Sequence, residues 1–597
     1  MSSDETEQKK SKVEIIKEAS IGLRGTIAAE LADSSTNHVE DATTKLLKFH
    51  GTYQQDDRDL RKSRRKEGLG KAFSFMVRNR IPGGKMTAAQ FRAELDIADE
   101  LGNGTIRITT RQSIQLHGVV KQNLWATIHR INEIKLSTQS ACGDVTRNVC
   151  CCPAPLRQDS RRDQLQAWTD RIADHVRPKT GAYHEIWIQD PKTGEKQQVS
   201  VGPSEPEPEP IYGKVYMPRK FKIGLALPDD NCINVYDQDL GLLAIFDGDT
   251  LRGFNVIVGG SMGTTPSRED CFPAIGKRMA FVEPDEVLSV ITAIILVQRD
   301  FGDRADRKQA RMKYLIHKWG LPKFKAQVEE YLSKAEKLCG VADGTVTRPL
   351  PEPDPTDVHE HPDHLGWHDQ GDGMCFLGLP IENGRIKDDG PLRLKTALRV
   401  LCTDHVPLVR LTSHQNVLLC DLRPEQRGEI ERILADHGVA TIDQISVVRR
   451  NSLACPALPT CGLAVTESER ILPTVITKLE QELDKLGLAE ERFSLRMTGC
   501  PNGCARPYNC DIGLVGRSID GKTGEGKYTI FVGGNQIGTR MNQVYKDIVP
   551  QSQIVSELLP LFVCFRDNRD DGETLGNFLH RWGIESLEQL ASMQSSS

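Results

Sequence analysis

Between residues 105 and 119 the even positions Ile106, Ile108, Ile114 and Leu116 are apolar, while the odd positions Arg107, Thr109, Arg111, Gln115 and His117 are polar. A period of two places these sets on opposite faces of an extended chain, so the stretch predicts a strand pair with one apolar and one cationic, hydrogen-bonding face. The alternation returns at residues 409–419, where Val409, Leu411, Val417 and Leu419 oppose Arg410, Thr412, His414 and Asn416. Arg410, Thr412 and Gln415 align with Arg107, Thr109 and Gln112. A second echo pairs FNVIVGG (254–260) with YTIFVGG (528–534). Both echoes run in the same order, which predicts an α+β chain built from two copies of one module around a central site.

Other stretches add elements to this frame. Residues 14–48 read as helical and wrapping. Residues 73–80 read as a strand that stops at Pro82-Gly-Gly, with Arg78 and Arg80 on one side of it. A helix is predicted over 88–101. In PRKFKIGL (218–225), Phe221, Ile223 and Leu225 face a core and Lys220 and Lys222 point together to the other side, by pattern alone a solvated basic edge. Residues 283–338 read as mainly helical. Their apolar run at 287–297 is broken by Ser and Thr and is too short to span a membrane. After Cys461 a helix is predicted to about Leu486, stopping at Gly487, with Ile476, Leu479 and Leu483 at core spacing. Residues 202–210, GPSEPEPEP, read as an extended acidic surface loop, and the Pro- and Asp-rich stretch 341–363 as the crossing between the copies.

Composition narrows the function more than the fold. A chain of 597 residues has room for several domains. Its net charge of −5 gives no reason to expect nucleic acid, and leaves room for an acidic protein docking on a local basic patch. The polar, Lys/Glu-rich residues 1–13 lack the apolar core of a secretory signal and the composition of a transit peptide, and predict a disordered start to a cytoplasmic protein. Sixteen cysteines without such a signal point to a reducing compartment.

The chemistry concentrates in ACPALPTC (454–461) and MTGCPNGCARPY (497–508). Cys455 and Cys461 are separated by five residues and Cys500 and Cys504 by three, among Pro and Gly that keep the backbone irregular. Structural zinc favours a tighter Cys-x2-Cys spacing, and a disulfide within CPNGC would be strained. Buried small hydrophobes remain the bland alternative. Two rigid loops converging on one centre suit an iron–sulfur cluster, with Gly letting backbone N–H groups approach the sulfurs. The adjacent Cys150, Cys151 and Cys152 cannot all face one site and read as small buried residues. Cys510, beside the second loop, reads as an oxidation liability, not a fifth ligand.

These two strings, the second followed by IGLVG, resemble the siroheme-dependent sulfite/nitrite reductase family. So do LRGTIAAEL, FHGTYQQDDRD, IPGGK, TTRQSIQLHGV, GDVTRNV, PRKFK, FNVIVGGSMG, RMKYL and LGNFLHRWG, so the resemblance covers nearly the whole chain. It implies duplicated ferredoxin-like plus α/β modules related by a pseudo-two-fold axis. The expected parts are an N-terminal extension (1–48), a first ferredoxin-like half-domain (49–135), a siroheme- and substrate-binding α/β domain (136–340) and a linker (341–364). A second ferredoxin-like half-domain (365–440), a cluster-bearing α/β domain (441–570) and a C-terminal segment (571–597) complete the chain.

The resemblance also implies roles. Cys455, Cys461, Cys500 and Cys504 would hold a 4Fe-4S cluster, Cys504 also bridging to the siroheme iron. Arg107, Thr109, Arg111, Gln115, His117, Arg311, Lys313 and Asn502 would bind siroheme, whose ring of carboxylates suits bidentate Arg. Arg78, Arg147, Lys220 and Lys222 would cage the oxyanion, the lysines delivering protons as oxygen leaves as water. The implied reaction is six-electron reduction of sulfite to sulfide in sulfur assimilation. GDVTRNV and PRKFK favour sulfite over nitrite. A nitrite reductase making ammonia is the rival, and an iron–sulfur electron carrier without siroheme is an alternative of another class. Electrons are expected from a separate protein. LRGTIAAEL resembles haemoproteins served by an NADPH-dependent flavoprotein, whereas RMKYLIHKWG and GWHDQGDG resemble the ferredoxin-dependent branch, and ferredoxin is the expectation.

Overall fold

The computed structural model describes residues 10–187 and 209–594. Three short helices, Lys12–Ala19, Ile27–Ala32 and Asp41–Leu46, lead into strands β1 (Thr52–Asp56) and β2 (Phe73–Arg78). β3 (Lys85–Thr87), the helix Ala88–Leu101, β4 (Ile106–Ile108) and β5 (Ile114–Val119) follow. Then come β6 (Ile223–Ala226), β7 (Leu240–Asp247), β8 (Thr250–Val258), β9 (Lys277–Val282) and a helical run from Val287 to Cys339. The second half carries β10 (Gly366–Asp369), β11 (Cys375–Leu379), β12 (Arg385–Ile386), a small ribbon of β13 (Asp388–Asp389) and β14 (Leu392–Arg393), and the helix Leu394–Asp404. β15 (Leu408–Leu411), β16 (Val417–Leu422), β17 (Ser452–Ala454), the helix Leu472–Leu486, β18 (Leu495–Thr498), β19 (Ile512–Ile519), β20 (Gly526–Val532) and β21 (Gln543–Pro550) complete the sheets.

An exchange of edge strands interlocks the copies. One antiparallel sheet runs β1-β2-β5-β4-β12 and the other β10-β11-β16-β15-β3. Thus β12 pairs with β4, Arg385 opposite Arg107, while β3 pairs with β15, Met86 opposite Val409. The two echoing hairpins meet at the centre. Their turns place Gln112 (φ 51°) and Gln415 (φ 67°) in the left-handed region. Gln112 Nε2 donates to Leu411 O at 3.0 Å and Gln415 Nε2 to Ile108 O at 3.4 Å, so each turn satisfies a carbonyl of the opposite copy. Gly84 and Gly384 admit this close approach: a Cβ on either would stand 2.3 Å from the Leu411 or Ile108 oxygen.

The other two sheets are also related. They run β6-β7-β8-β9 and β17-β18-β19-β20-β21, parallel up to β7 and β19 and antiparallel beyond. In each an aspartate buttresses the entering strand, Asp239 accepting from Lys222 N–H and Asp511 from Ser494 N–H, both at 2.8 Å. One apolar core runs through both exchanged sheets and the first α/β sheet, and a second surrounds β18 to β20. Ile106, Ile108, Ile114 and Leu116 are fully buried, each worth ~1.5–3 kcal/mol.

The expected helix at 88–101 forms, capped by the reciprocal Thr87 and Gln90 pair and ending at Gly102. Leu472–Leu486 ends at Gly487 in the left-handed conformation, with Ile476, Leu479 and Leu483 buried. Val287–Phe301 is a core helix, and among the described residues no helix is long and apolar enough to cross a membrane.

Two expectations need correction, and two more can be followed only at their ends. β2 ends at Arg78, and Arg80 is drawn off by a bridge to Ser137 and by the Ala173 carbonyl, so the two guanidinium groups do not share a side. The alternation of 105–119 is interrupted by the turn at 109–113, which carries Arg111 off the sheet face. Of the stretch expected to be disordered, residues 1–9 lie outside the described residues, but the helix starting at Lys12 is anchored by buried Lys17, which pairs with Glu14 and donates to Met217 O. Residues 202–208 of the acidic loop lie outside the described residues. Glu209, at its end, is buried and accepts from Lys179 N–H and Tyr216 Oη–H.

Candidate active site

Parallel pairing of β17 with β18, Ala454 opposite Met497, brings the two cysteine loops together, because Cys455 and Cys500 leave the same ends of adjacent strands. Gly499 N–H points at Cys455 Sγ (3.3 Å) and Asn502 Nδ2 at Cys500 Sγ (3.4 Å). The backbone of Leu463 and Ala464 donates toward Cys461. Gly499 is required sterically, since a Cβ there would lie 2.4 Å from Thr466 O. Burial, reinforced by the neighbouring sulfurs, pushes the Cys500 thiol up to about 12 and raises Cys455 and Cys461 as well. Cys455, Cys461 and Cys500, supplied with N–H donors, hold their protons unless a metal centre takes the sulfurs, and with Cys504 on the same loop as Cys500 the set fits an iron–sulfur cluster. Cys504 alone of the four is exposed. Cys510 is fully buried and donates to Ile512 O at 3.1 Å, which removes it as an exposed oxidation site.

A buried ionic group ties this centre to the first exchanged sheet. Glu469 accepts from Arg107 Nε (2.9 Å) and from Arg385 Nε (2.7 Å), and Arg107 Nη2 also donates to Ala454 O (2.8 Å), beside Cys455. Neither Glu469 nor Arg385 stood out in the sequence, because their partnership spans the strand exchange.

The cations divide into two sets. Arg107, Arg311 and Lys313 are engaged by the protein: Arg311 forks onto Asp239 at 2.8–3.0 Å, and Lys313 meets the carbonyls of Ser261, Gly263 and Phe272. Thr109 likewise uses its hydroxyl to accept from Arg111 and Ser113 N–H inside its own turn. Asn502 reaches Cys500.

The second set is less fully satisfied. Lys220 and Lys222 have no hydrogen-bond or ion-pair partner for their ammonium groups among the described residues. Burial, then Arg311, Lys222 and Arg219, holds Lys220 well below the usual lysine range. Burial, then Arg111 and Arg311, lowers Lys222 to about 7. Arg147 donates to Gly143 O (2.9 Å) and Ala141 O (3.3 Å). Arg111 reaches Gln238 and Ile223 O but leaves buried Nε unpartnered. His117 is fully buried with neither ring nitrogen hydrogen-bonded. Burial and the charges of Arg385, Arg107 and Arg78 keep it neutral. Gln115 lies between Arg78 and Arg107 in the sheet register. The Cys504 sulfur acts on Arg78, Lys220 and Lys222 alike, so the exposed thiol and these cations share one region. Unpartnered cations and an orphaned imidazole fit an anionic, carboxylate-bearing cofactor there. Arg219, inside PRKFK, flanks Lys220, and half-buried Tyr53 and buried Cys142 beside Arg78 carried no signal of their own in the sequence.

Residues 167–336 and 448–596 match the nitrite and sulphite reductase 4Fe-4S domain, and residues 70–134 and 368–437 each match the nitrite/sulfite reductase ferredoxin-like half domain. The chain therefore belongs to the nitrite and sulphite reductase family. It is 42% identical to the sulfite reductase [NADPH] hemoprotein beta-component of Staphylococcus haemolyticus, over 98% of this chain and 96% of that one. It is also 42% identical to the sulfite reductase [ferredoxin] of Synechococcus elongatus, over 99% and 92%. The Mycobacterium tuberculosis NirA structure shares the fold, with a TM-score of 0.75 at 21% identity and coverage of 97% and 98%. The cofactors of the present chain are accordingly a 4Fe-4S cluster and siroheme, and its two ferredoxin-like halves are the duplication read from the hairpin echoes.

Proposed function

We propose that this chain reduces sulfite to sulfide with six electrons from a separate carrier protein, in the cytoplasm and for sulfur assimilation. The observation that carries the reading is the unpartnered pair Lys220 and Lys222, set with Arg78 in the region of the one exposed cluster cysteine, Cys504. We assign Cys504 to both cofactors. When bound, siroheme coupled to the cluster supplies an iron that holds the anion and electrons that arrive singly.

The protein supplies charge and protons. Arg78, Arg147, Lys220 and Lys222 balance a small dianion in a site that also carries cofactor carboxylates, each contact worth ~2–4 kcal/mol in the transition state. Lys222, lowered to about 7, is matched to proton transfer near neutral pH. An arriving anion raises both lysines, so they take up protons on binding and pass them on, refilled from solvent each time, as each oxygen departs with two protons as water. His117, kept neutral, and Arg111, with a free Nε, are assigned to siroheme carboxylates. Arg107, Arg311 and Lys313 act by holding the surrounding loops.

The donor's place is marked by charge. Arg58 donates to the Cys461 and Ala464 carbonyls, and the helix Arg61–Lys66 that follows presents exposed Lys62, Arg65 and Lys66 beside the cluster loop. Such a patch suits a small acidic one-electron carrier, and ferredoxin is our reading. The test compares kcat/KM for sulfite and nitrite in siroheme-loaded protein with a chemical one-electron donor. Preference for sulfite with sulfide as product is expected. Preference for nitrite overturns the choice of anion, and absence of haem absorption in cluster-loaded protein favours the electron-carrier alternative. Lys62→Glu with Arg65→Glu should raise KM for reduced ferredoxin and leave turnover by the chemical donor unchanged.

A further inference from the structure

Away from the cluster, Cys152, Asp230, Cys232 and His364 bring their donor atoms within 4.8 Å of one another, all four residues buried. They come from three places in the fold. Cys152 follows the segment bridged to β6 at Cys150 and Gly224, Asp230 and Cys232 lie in the loop after β6, and His364 ends the stretch that crosses between the copies. We infer that these residues form a structural site for one divalent cation of the zinc class.

The donor set is two sulfurs, an imidazole nitrogen and a carboxylate oxygen, which is zinc chemistry and excludes the harder magnesium and calcium. The spacing is close to what such an ion needs. Cys152 Sγ and His364 Nε2 are 3.5 Å apart, and His364 Nε2 and Asp230 Oδ2 2.8 Å. Ligands at ordinary zinc distances stand roughly 3.3–3.8 Å from each other, so the Cys152–His364 spacing already fits, while Asp230 Oδ2, 2.5 Å from Cys152 Sγ, has to swing back by about 1 Å to seat the ion. Arg162 completes the surroundings, donating to Cys152 Sγ at 2.9 Å and to Asp230 Oδ2 at 2.6 Å. A dication and this guanidinium together balance two thiolates and a carboxylate, leaving the buried group neutral.

The ion would staple the end of the crossing segment to the loop after β6. That loop also meets the second copy: Ser413 donates to Cys232 O, Asn231 to Ile537 O (2.7 Å), and Arg506, two residues past Cys504, to Ile233 O (3.1 Å). The site therefore stiffens the junction on which the cluster loop rests.

Holoenzyme incubated with zinc chloride and desalted provides the test, by zinc and iron content and zinc K-edge X-ray absorption. Expected are about one zinc per chain and a shell of two sulfurs near ~2.3 Å with two nitrogen or oxygen neighbours near ~2.0–2.1 Å. Cys232→Ser and His364→Ala should each lower bound zinc more than about 10-fold at unchanged iron. Zinc below about a tenth per chain, or a shell without sulfur, overturns the assignment. The wild-type spectrum reads the ligands directly, so a variant that fails to fold does not decide the matter.

Discussion

Removing the Glu469 carboxylate should loosen the cluster before it unfolds the protein. Glu469 balances Arg107, whose side chain is 3% exposed, and Arg385, 16% exposed. In Glu469→Ala, Arg107 keeps only Ala454 O and Arg385 only Thr105 Oγ1 (3.1 Å), leaving two poorly solvated cations without a counter-charge. Breaking one buried pair in this way costs ~3–5 kcal/mol. Partial exposure of Arg385 argues for the lower end, about 3 kcal/mol, or roughly 100-fold in a local opening equilibrium. The opening is local because Glu469 N–H donates to Cys455 O and Arg107 grips Ala454 O. The assay is iron release from holoprotein to a chelator in native buffer, alongside urea unfolding. At pH 7 the variant should release iron about 100-fold faster, with a smaller fall in the urea midpoint. Burial raises the Glu469 carboxyl, but Arg107 and Arg385 outweigh it and hold the group below its usual 4.5. A carboxylate depressed in the folded state contributes stability that is present above the unfolded value and lost as pH falls through the folded one, so wild type and variant should converge in acid. Replacing all three residues by Met, Leu and Met should restore slow release, because no buried charge is then left unpaired. Release within about 3-fold of wild type at pH 7, or a gap that persists unchanged in acid, would refute the reasoning.

Lys222→Ala should leave the haem spectrum intact and lower kcat/KM for sulfite by about 10²–10³, as expected for loss of one transition-state donor; unchanged steady-state kinetics would remove Lys222 from the site. With burial and neighbouring cations setting Lys222 near 7, sulfite-limited turnover should fall as pH rises above that value, and Lys222→Arg should move the limb upward. Gly384→Ala should destabilise by ~1–3 kcal/mol, since φ is +73° and the new Cβ would meet Ile108 O at 2.3 Å. Gly428→Ala, in a helix with nothing within 4 Å, should stabilise by up to about 1 kcal/mol; urea midpoints check both.

Periodicity and spacing carried much of the fold. Alternation at 105–119 and 409–419 located both central hairpins, Gly487 stopped its helix where expected, and the two Cys pairs stood out by composition. These are local signals, written by which neighbours along the chain face a core, and they survive without knowledge of the partner. What the pattern could not tell was which polar residues on a legible face are free. Arg107, Arg311 and Lys313 looked as available as Lys220 and Lys222, yet Glu469, Asp239 and a set of loop carbonyls take the first three. Their partners lie far away in sequence, and a charge buried in the interior is decided by whichever opposite group the topology delivers to it. The same holds for Cys152, which by sequence is one of three adjacent small residues and only in three dimensions meets Asp230, Cys232 and His364. The sequence by itself determined the duplicated modules, the cysteine loops and the cationic strands. Only the tertiary structure decided the strand exchange that interlocks the copies, the pairing that spends some cations and spares others, and the exposure of Cys504 among four cysteines, because each depends on contacts between residues hundreds of positions apart.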